Sequence, residues 1–159
     1  MFEESKITFS KYVNDAGISD SLQAECLDSD ILMLPPELKG STYPEMTNDI
    51  YKFLQQELPE GLKINLPVED DDYEETRFYE VITMVAVFLV TSIAIPIVVN
   101  ILSHFFIKKM EKKKKKSLIN FTFIVDDKDG NKSKKTTYEG NNEGFRDFLT
   151  HFPKISKKE

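Results

Sequence analysis

The sequence predicts an α+β protein divided by a membrane: a small N-terminal α+β domain, one transmembrane helix and a small C-terminal ββα domain. Three observations predict it. Residues 1–80 hold 19 acids and 6 bases, residues 81–107 hold no charged side chain, and residues 108–159 hold 15 bases and 8 acids, so the net charge of −6 is a sum over three unlike stretches. The charge-free stretch is 27 residues long, about 40 Å as a helix at ~1.5 Å per residue, which exceeds the ~30 Å hydrocarbon core of a bilayer. The flanks carry short helical and strand periodicities instead of one long pattern. The expected organisation is an acidic domain over 1–68, an acidic linker over 69–80, the span over 81–107, a polybasic stop over 108–117 and the ββα domain over 118–159.

Each element has a local reason. Ile7, Phe9, Tyr12 and Val13 suit either a strand or a helix within the first 16 residues. A helix is expected over about Ser19–Leu27, then a strand at Ile31–Leu34 ended by Pro35 and Pro36. Thr42 as N-cap, Pro44 in the first turn and Glu45 closing a capping box predict a helix start. Met46, Ile50, Phe53, Leu54 and Leu58 continue that helix at three- to four-residue spacing until Pro59-Glu60-Gly61. A strand over Leu62–Leu66 follows. Six of the seven residues from Glu69 to Glu75 are acids; this run reads as a solvated linker, or, if copies meet on an axis, as an acidic ring at a pore mouth.

The span, Val81–Ile107, is read as crossing lipid because neither flank alone is large enough to enclose it. No basic leader with a short apolar run opens the sequence, so no cleaved signal is expected. Lys108, Lys109, Lys112, Lys113, Lys114, Lys115 and Lys116 follow the span, whereas Arg77 is the one base just before it. The positive-inside rule then places the N-terminus outside and the C-terminus in the cytoplasm of an inner membrane, with the lysines anchoring on anionic lipid. At 100° per residue, Ser92, Pro96, Asn100 and Ser103 share one arc with His104 close by. As a stripe these five are pore-lining or helix–helix contacts. Alternatively the serines bond back to their own helix and Asn100 and His104 lie at the interface. Pro96 predicts a kink in mid-span.

In the last stretch, Ile119, Phe121, Phe123 and Val125 alternate as a half-buried strand. The segment Asp126–Asn131 contains Asp-Gly and turns a hairpin. Lys132–Tyr138 returns as a polar edge or ligand-facing strand. A helix capped by an asparagine of Gly140-Asn141-Asn142 carries Phe145, Phe148, Leu149 and Phe152 on one face and ends at Pro153. Lys128, Lys132, Lys134 and Lys135 beside Tyr138 suit phosphate contacts and base stacking, hence an anionic nucleotide or oligonucleotide; the plainer reading is an edge strand kept soluble by lysines. The Asp126–Gly130 turn lacks the spacing and closing Glu of a calcium loop. Catalytic groups are sparse: His104, His151 and the single Cys26 form no recognised motif, so no enzyme, cofactor or metal is expected.

The segments LVTSIAIPIVVN (89–100) and FIVDDKDGNKSKKTTYEG (123–140), in this layout of small domain, span, lysines and ββα unit, resemble the small membrane effectors of bacterial anti-phage defence, of the Hailong and CBASS type. The resemblance implies a homo-oligomeric, channel-like effector gated at its cytoplasmic domain by a nucleotide messenger; the stoichiometry is open, a tetramer being one option. The alternative is a single-span scaffold or accessory subunit of a larger complex.

Overall fold

A computed structural model of the chain describes residues 3–76, 82–110, 118–126 and 131–157. It overturns the expected fold class. The charge-free stretch is not one helix: it divides into a strand, β6 (Ile82–Thr91), a turn at 92–94, and a helix, α4 (Ile95–Met110). No helix among the described residues is long and apolar enough to cross a membrane. At 16 residues, α4 measures about 24 Å at ~1.5 Å per residue.

The architecture is mixed α/β, with a six-stranded sheet between two helical layers. In chain order the elements are β1 (Glu3–Ser5), α1 (Phe9–Asp15), α2 (Asp20–Leu27), β2 (Ile31–Leu34), β3 (Thr42–Pro44), α3 (Thr47–Glu57), β4 (Ile64–Asn65) and β5 (Glu74–Thr76), then β6 and α4, and finally β7 (Leu118–Asp126), β8 (Ser133–Gly140) and α5 (Asn142–Lys157). The large sheet runs β1-β8-β7-β6-β2-β4. Strands β6 and β7 pair in parallel over nearly their full length and are joined through α4, a βαβ crossover. β6 also pairs antiparallel with β2, placing it in the sheet interior.

This position explains the apolar run. A strand with helices on both faces is buried on both, so it reads as continuous hydrophobicity instead of alternation. Ala86, Phe88 and Val90 face the layer of α3, α4 and α5, while Val87 and Leu89 face α1 and α2. Neither flank encloses the run alone, as the sequence indicates; the two enclose it together. The first 76 residues supply β2, β4 and three helices, and the last 42 supply β7, β8 and α5. Val87 and Val90, with Thr91, are β-branched and favour the strand. Pro96 falls in the first turn of α4, where its missing N–H breaks no hydrogen bond, so the mid-span kink does not arise.

Several local expectations match the structure. α2 occupies the segment expected to be helical, its Ser19 hydroxyl accepting the Leu22 N–H at 3.3 Å, and the expected asparagine cap of α5 is Asn141, whose side chain accepts the Gly144 N–H at 2.8 Å. β2, β4, β7 and β8 lie within or close to their predicted segments. Others shift. Thr42–Pro44 is not a helix start but a strand paired with β5, because the Tyr43 ring is buried and its hydroxyl donates to the Met33 carbonyl at 3.1 Å. α3 begins only at Thr47, after Met46 at φ 78°. The acidic run is tied down: Glu69 accepts the Ser19 N–H at 2.7 Å, and Glu75 accepts the Asn48 N–H at 2.9 Å and the Tyr73 hydroxyl at 2.6 Å. α5 continues past Pro153 to Lys157.

Candidate functional site

The structure redistributes the predicted site residues. Of the stripe, Ser92 is exposed in the turn before α4. Ser103 donates to the Val99 carbonyl at 2.8 Å, the back-bonding alternative. Pro96, Asn100 and His104 do come together: they are exposed on the outer side of α4 and line a groove of about 500 Å³ with Ile97, Ile101, and Phe53 and Glu57 of α3. Phe53 packs on Phe105 with ring centroids 5.3 Å apart, fixing α3 against α4 and forming the groove floor. Its character is apolar with neutral polar groups; among the described residues lining it Glu57 is the single carboxylate.

The outer side of α4 is unusual for a surface helix. Pro96, Ile97, Asn100, His104 and Ile107 fall within an arc of about 100°, and Ile93, in the preceding turn, is 76% exposed. From Ser92 to Ile107 no lysine, arginine, aspartate or glutamate occurs, whereas helices facing water ordinarily carry charges there. The opposite side of α4 is core: Val98, Leu102, Phe105 and Phe106 are buried.

Two of the predicted ligand lysines, Lys134 and Lys135, lie opposite acids. β8 is not an edge strand, because β1 lies along it with Glu3 opposite Lys135 and Glu4 opposite Lys134. Opposite charges directly across strands compensate each other. Tyr138 is half-buried, its ring stacked at 5.4 Å on Phe148 and its hydroxyl donating to the Asn141 carbonyl at 2.7 Å, so it packs α5 onto the sheet and is not free to stack on a base. Lys132 is exposed. Lys128 lies outside the described residues, as do Lys112, Lys113, Lys114, Lys115 and Lys116. Lys108 is exposed near the end of α4, where a cation suits the helix dipole, and Lys109 follows it in the helix.

Three titratable groups elsewhere, Cys26, Tyr12 and His151, are tied to their own surroundings. Cys26 is fully buried, and burial with Glu25 and Glu69 nearby pushes its thiol up to about 11, so it is a protonated, apolar side chain at neutral pH. Burial, with Cys26 nearby, raises Tyr12 to about 12. His151 bonds through Nδ1 to the Asp147 carbonyl at 2.8 Å, one turn back on α5. Among the described residues no group of three or more His, Cys, Asp or Glu is placed to hold a metal.

A second concavity escaped the sequence reading, because its residues are scattered between positions 22 and 73. Leu22 and Glu25 of α2, Asn48 and Tyr51 of α3, Asn65 of β4, Asp70 and Tyr73 surround a pocket of about 360 Å³. Comparison with protein-family models, with curated proteins and with solved structures finds no match to this chain.

Proposed function

We propose that the chain is a non-catalytic, self-associating accessory module whose outer α4 face meets the same face of a second copy. The uncharged exposed face carries this reading. The chain has a net charge of −6, so two copies repel unless they meet where no charge stands, and the side from Ile93 to Ile107 is such a place. Its chemistry suits a two-fold contact: Ile93, Pro96 and Ile97 supply apolar area, while Asn100 and His104 offer donors and acceptors that pair with their own images. The buried, protonated Cys26 and the structural bonding of His151 support the non-catalytic part.

Light scattering of the purified full chain tests it. The expected result is a discrete dimer or larger species at tens of micromolar, converted to monomer by Ile93→Glu with Asn100→Glu, both at exposed positions. A wild-type monomer, or a variant that keeps the wild-type mass, overturns the proposal.

A second reading places the chain at the inner membrane as a channel-like effector controlled by a nucleotide messenger in bacterial defence. The lysines of 108–116 and the resemblance of segments 89–100 and 123–140 to such effectors favour it. The N-out orientation rested on the span and goes with it. Ion flux through liposomes carrying the chain, with and without cyclic oligonucleotides, is the test; no flux under any condition removes this reading.

A further inference from the structure

We infer that the pocket between α2, α3 and the 70–73 turn binds an organic cation, an alkylammonium or guanidinium head group. The inference is independent of self-association, since it concerns a different side of the molecule.

The pocket's chemistry is one-sided. Its lining includes two carboxylates, Glu25 and Asp70, two phenol rings, Tyr51 and Tyr73, and two carboxamides, Asn48 and Asn65, with no lysine, arginine or histidine. Glu25 and Asp70 come from separate elements, and among the described residues neither carboxylate makes an ion pair or a side-chain hydrogen bond. Lys63, which lines the adjoining pocket, gives its ammonium to Asp28 at 2.6 Å. The Asn65 amide nitrogen is donated to Ser29 Oγ at 2.6 Å, which leaves its carbonyl oxygen as the end that accepts. Tyr73 is held in place, its ring stacked on Tyr43 at 5.2 Å and its hydroxyl donated to Glu75 at 2.6 Å. Beside the Asn48 carboxamide, the lining offers a ligand two carboxylates, the Asn65 carbonyl oxygen and the Tyr51 ring; carboxylates and ring faces are how proteins hold ammonium and guanidinium groups.

Charge and size narrow the class. The flank 1–80 holds 19 acids against 6 bases, so the surrounding field draws cations and repels phosphates. A volume of about 360 Å³ is at the small end of ligand pockets and admits a head group with a few methylenes. Burial and the neighbouring Asp70 both raise Tyr51, so its phenol stays neutral at physiological pH and keeps its ring available to a cation.

The head group has two sources, a free polyamine or a lysine or arginine side chain of another protein, and calorimetry on the full chain at low salt separates them. Spermidine is one probe and a blocked Gly-Lys-Gly tripeptide the other; saturation by spermidine alone assigns a free amine, by the tripeptide alone a side chain, and by both the shared head group. Glu25→Gln with Asp70→Asn is expected to weaken binding about tenfold or more, and Tyr51→Leu several-fold. Asp71→Asn with Asp72→Asn, outside the lining, is expected to leave it within about twofold. Circular dichroism confirms that each variant is folded. No binding of either probe at millimolar concentration, or an equal loss in the Asp71/Asp72 variant, overturns the inference.

Discussion

Replacing Phe106 by alanine distinguishes a buried α4 from a lipid-facing one. Phe106 is fully buried and meets three rings: Phe105 at 5.4 Å, Phe121 of β7 at 5.5 Å and Phe145 of α5 at 4.9 Å, all edge-on. It therefore joins the crossover helix to the sheet and to the C-terminal helix. Truncating a buried phenylalanine costs about 3–5 kcal/mol, the lost transfer energy plus the cavity, and three edge-to-face pairs worth ~0.5–1.5 kcal/mol each place this site in the upper half. Urea unfolding followed by circular dichroism reads the change. With a slope of ~2 kcal/mol per molar urea, the midpoint falls by about 2 M, a large fraction of the ~5–15 kcal/mol by which domains are stable. His104→Ala, two residues away and exposed, is the control and changes stability by less than ~0.5 kcal/mol. If Phe106→Ala costs under ~1 kcal/mol, or no more than His104→Ala, the packing of α4 against β7 and α5 is wrong.

Further outcomes follow from other contacts. Cys26 resists iodoacetamide at pH 7.5 in the native chain and reacts in urea, because burial holds it as a thiol; rapid native labelling refutes this. Its folded value near 11 exceeds its ordinary value of 9.0, so the unfolded chain ionises first and the native state loses stability as pH rises from about 9 to 11, a loss that Cys26→Ala removes from the pH profile. Glu3→Lys with Glu4→Lys sets like charges opposite Lys135 and Lys134, lowering stability by about 1–2 kcal/mol. Lys134→Glu with Lys135→Glu restores it in a double-mutant cycle. Asn141→Ala removes the cap of α5 and lowers the thermal midpoint by an amount equivalent to ~1 kcal/mol.

What was legible in the sequence was local. Asn141 caps α5 because its short polar side chain reaches the Gly144 N–H three residues on, which needs no tertiary context. Ile119, Phe121 and Phe123 alternate because one face of β7 is core, and their spacing declares it. Lys134, Lys135 and Tyr138 mislead for the opposite reason. A lysine-rich strand reads as an edge or a ligand face until β1, some 130 positions away in sequence, brings Glu3 and Glu4 alongside. The pocket around Glu25, Tyr51, Asp70 and Tyr73 has no signature at all, since four segments each give it two or three residues and none has a motif's spacing.

By itself the sequence determined the asparagine cap of α5, the alternation of β7, the asymmetry of charge and the fact that residues 81–107 avoid water. Only the tertiary structure decided what replaces the water. Lipid and protein interior both accept an uncharged run, and hydrophobicity measures transfer out of water without naming the destination. The decision comes from pairing: β6 finds hydrogen-bond partners in β2 from one flank and β7 from the other, and α3, α4 and α5 close over Phe88 and Phe121. Judged separately, the two flanks are too small to cover the run; folded around it as one sheet, they suffice.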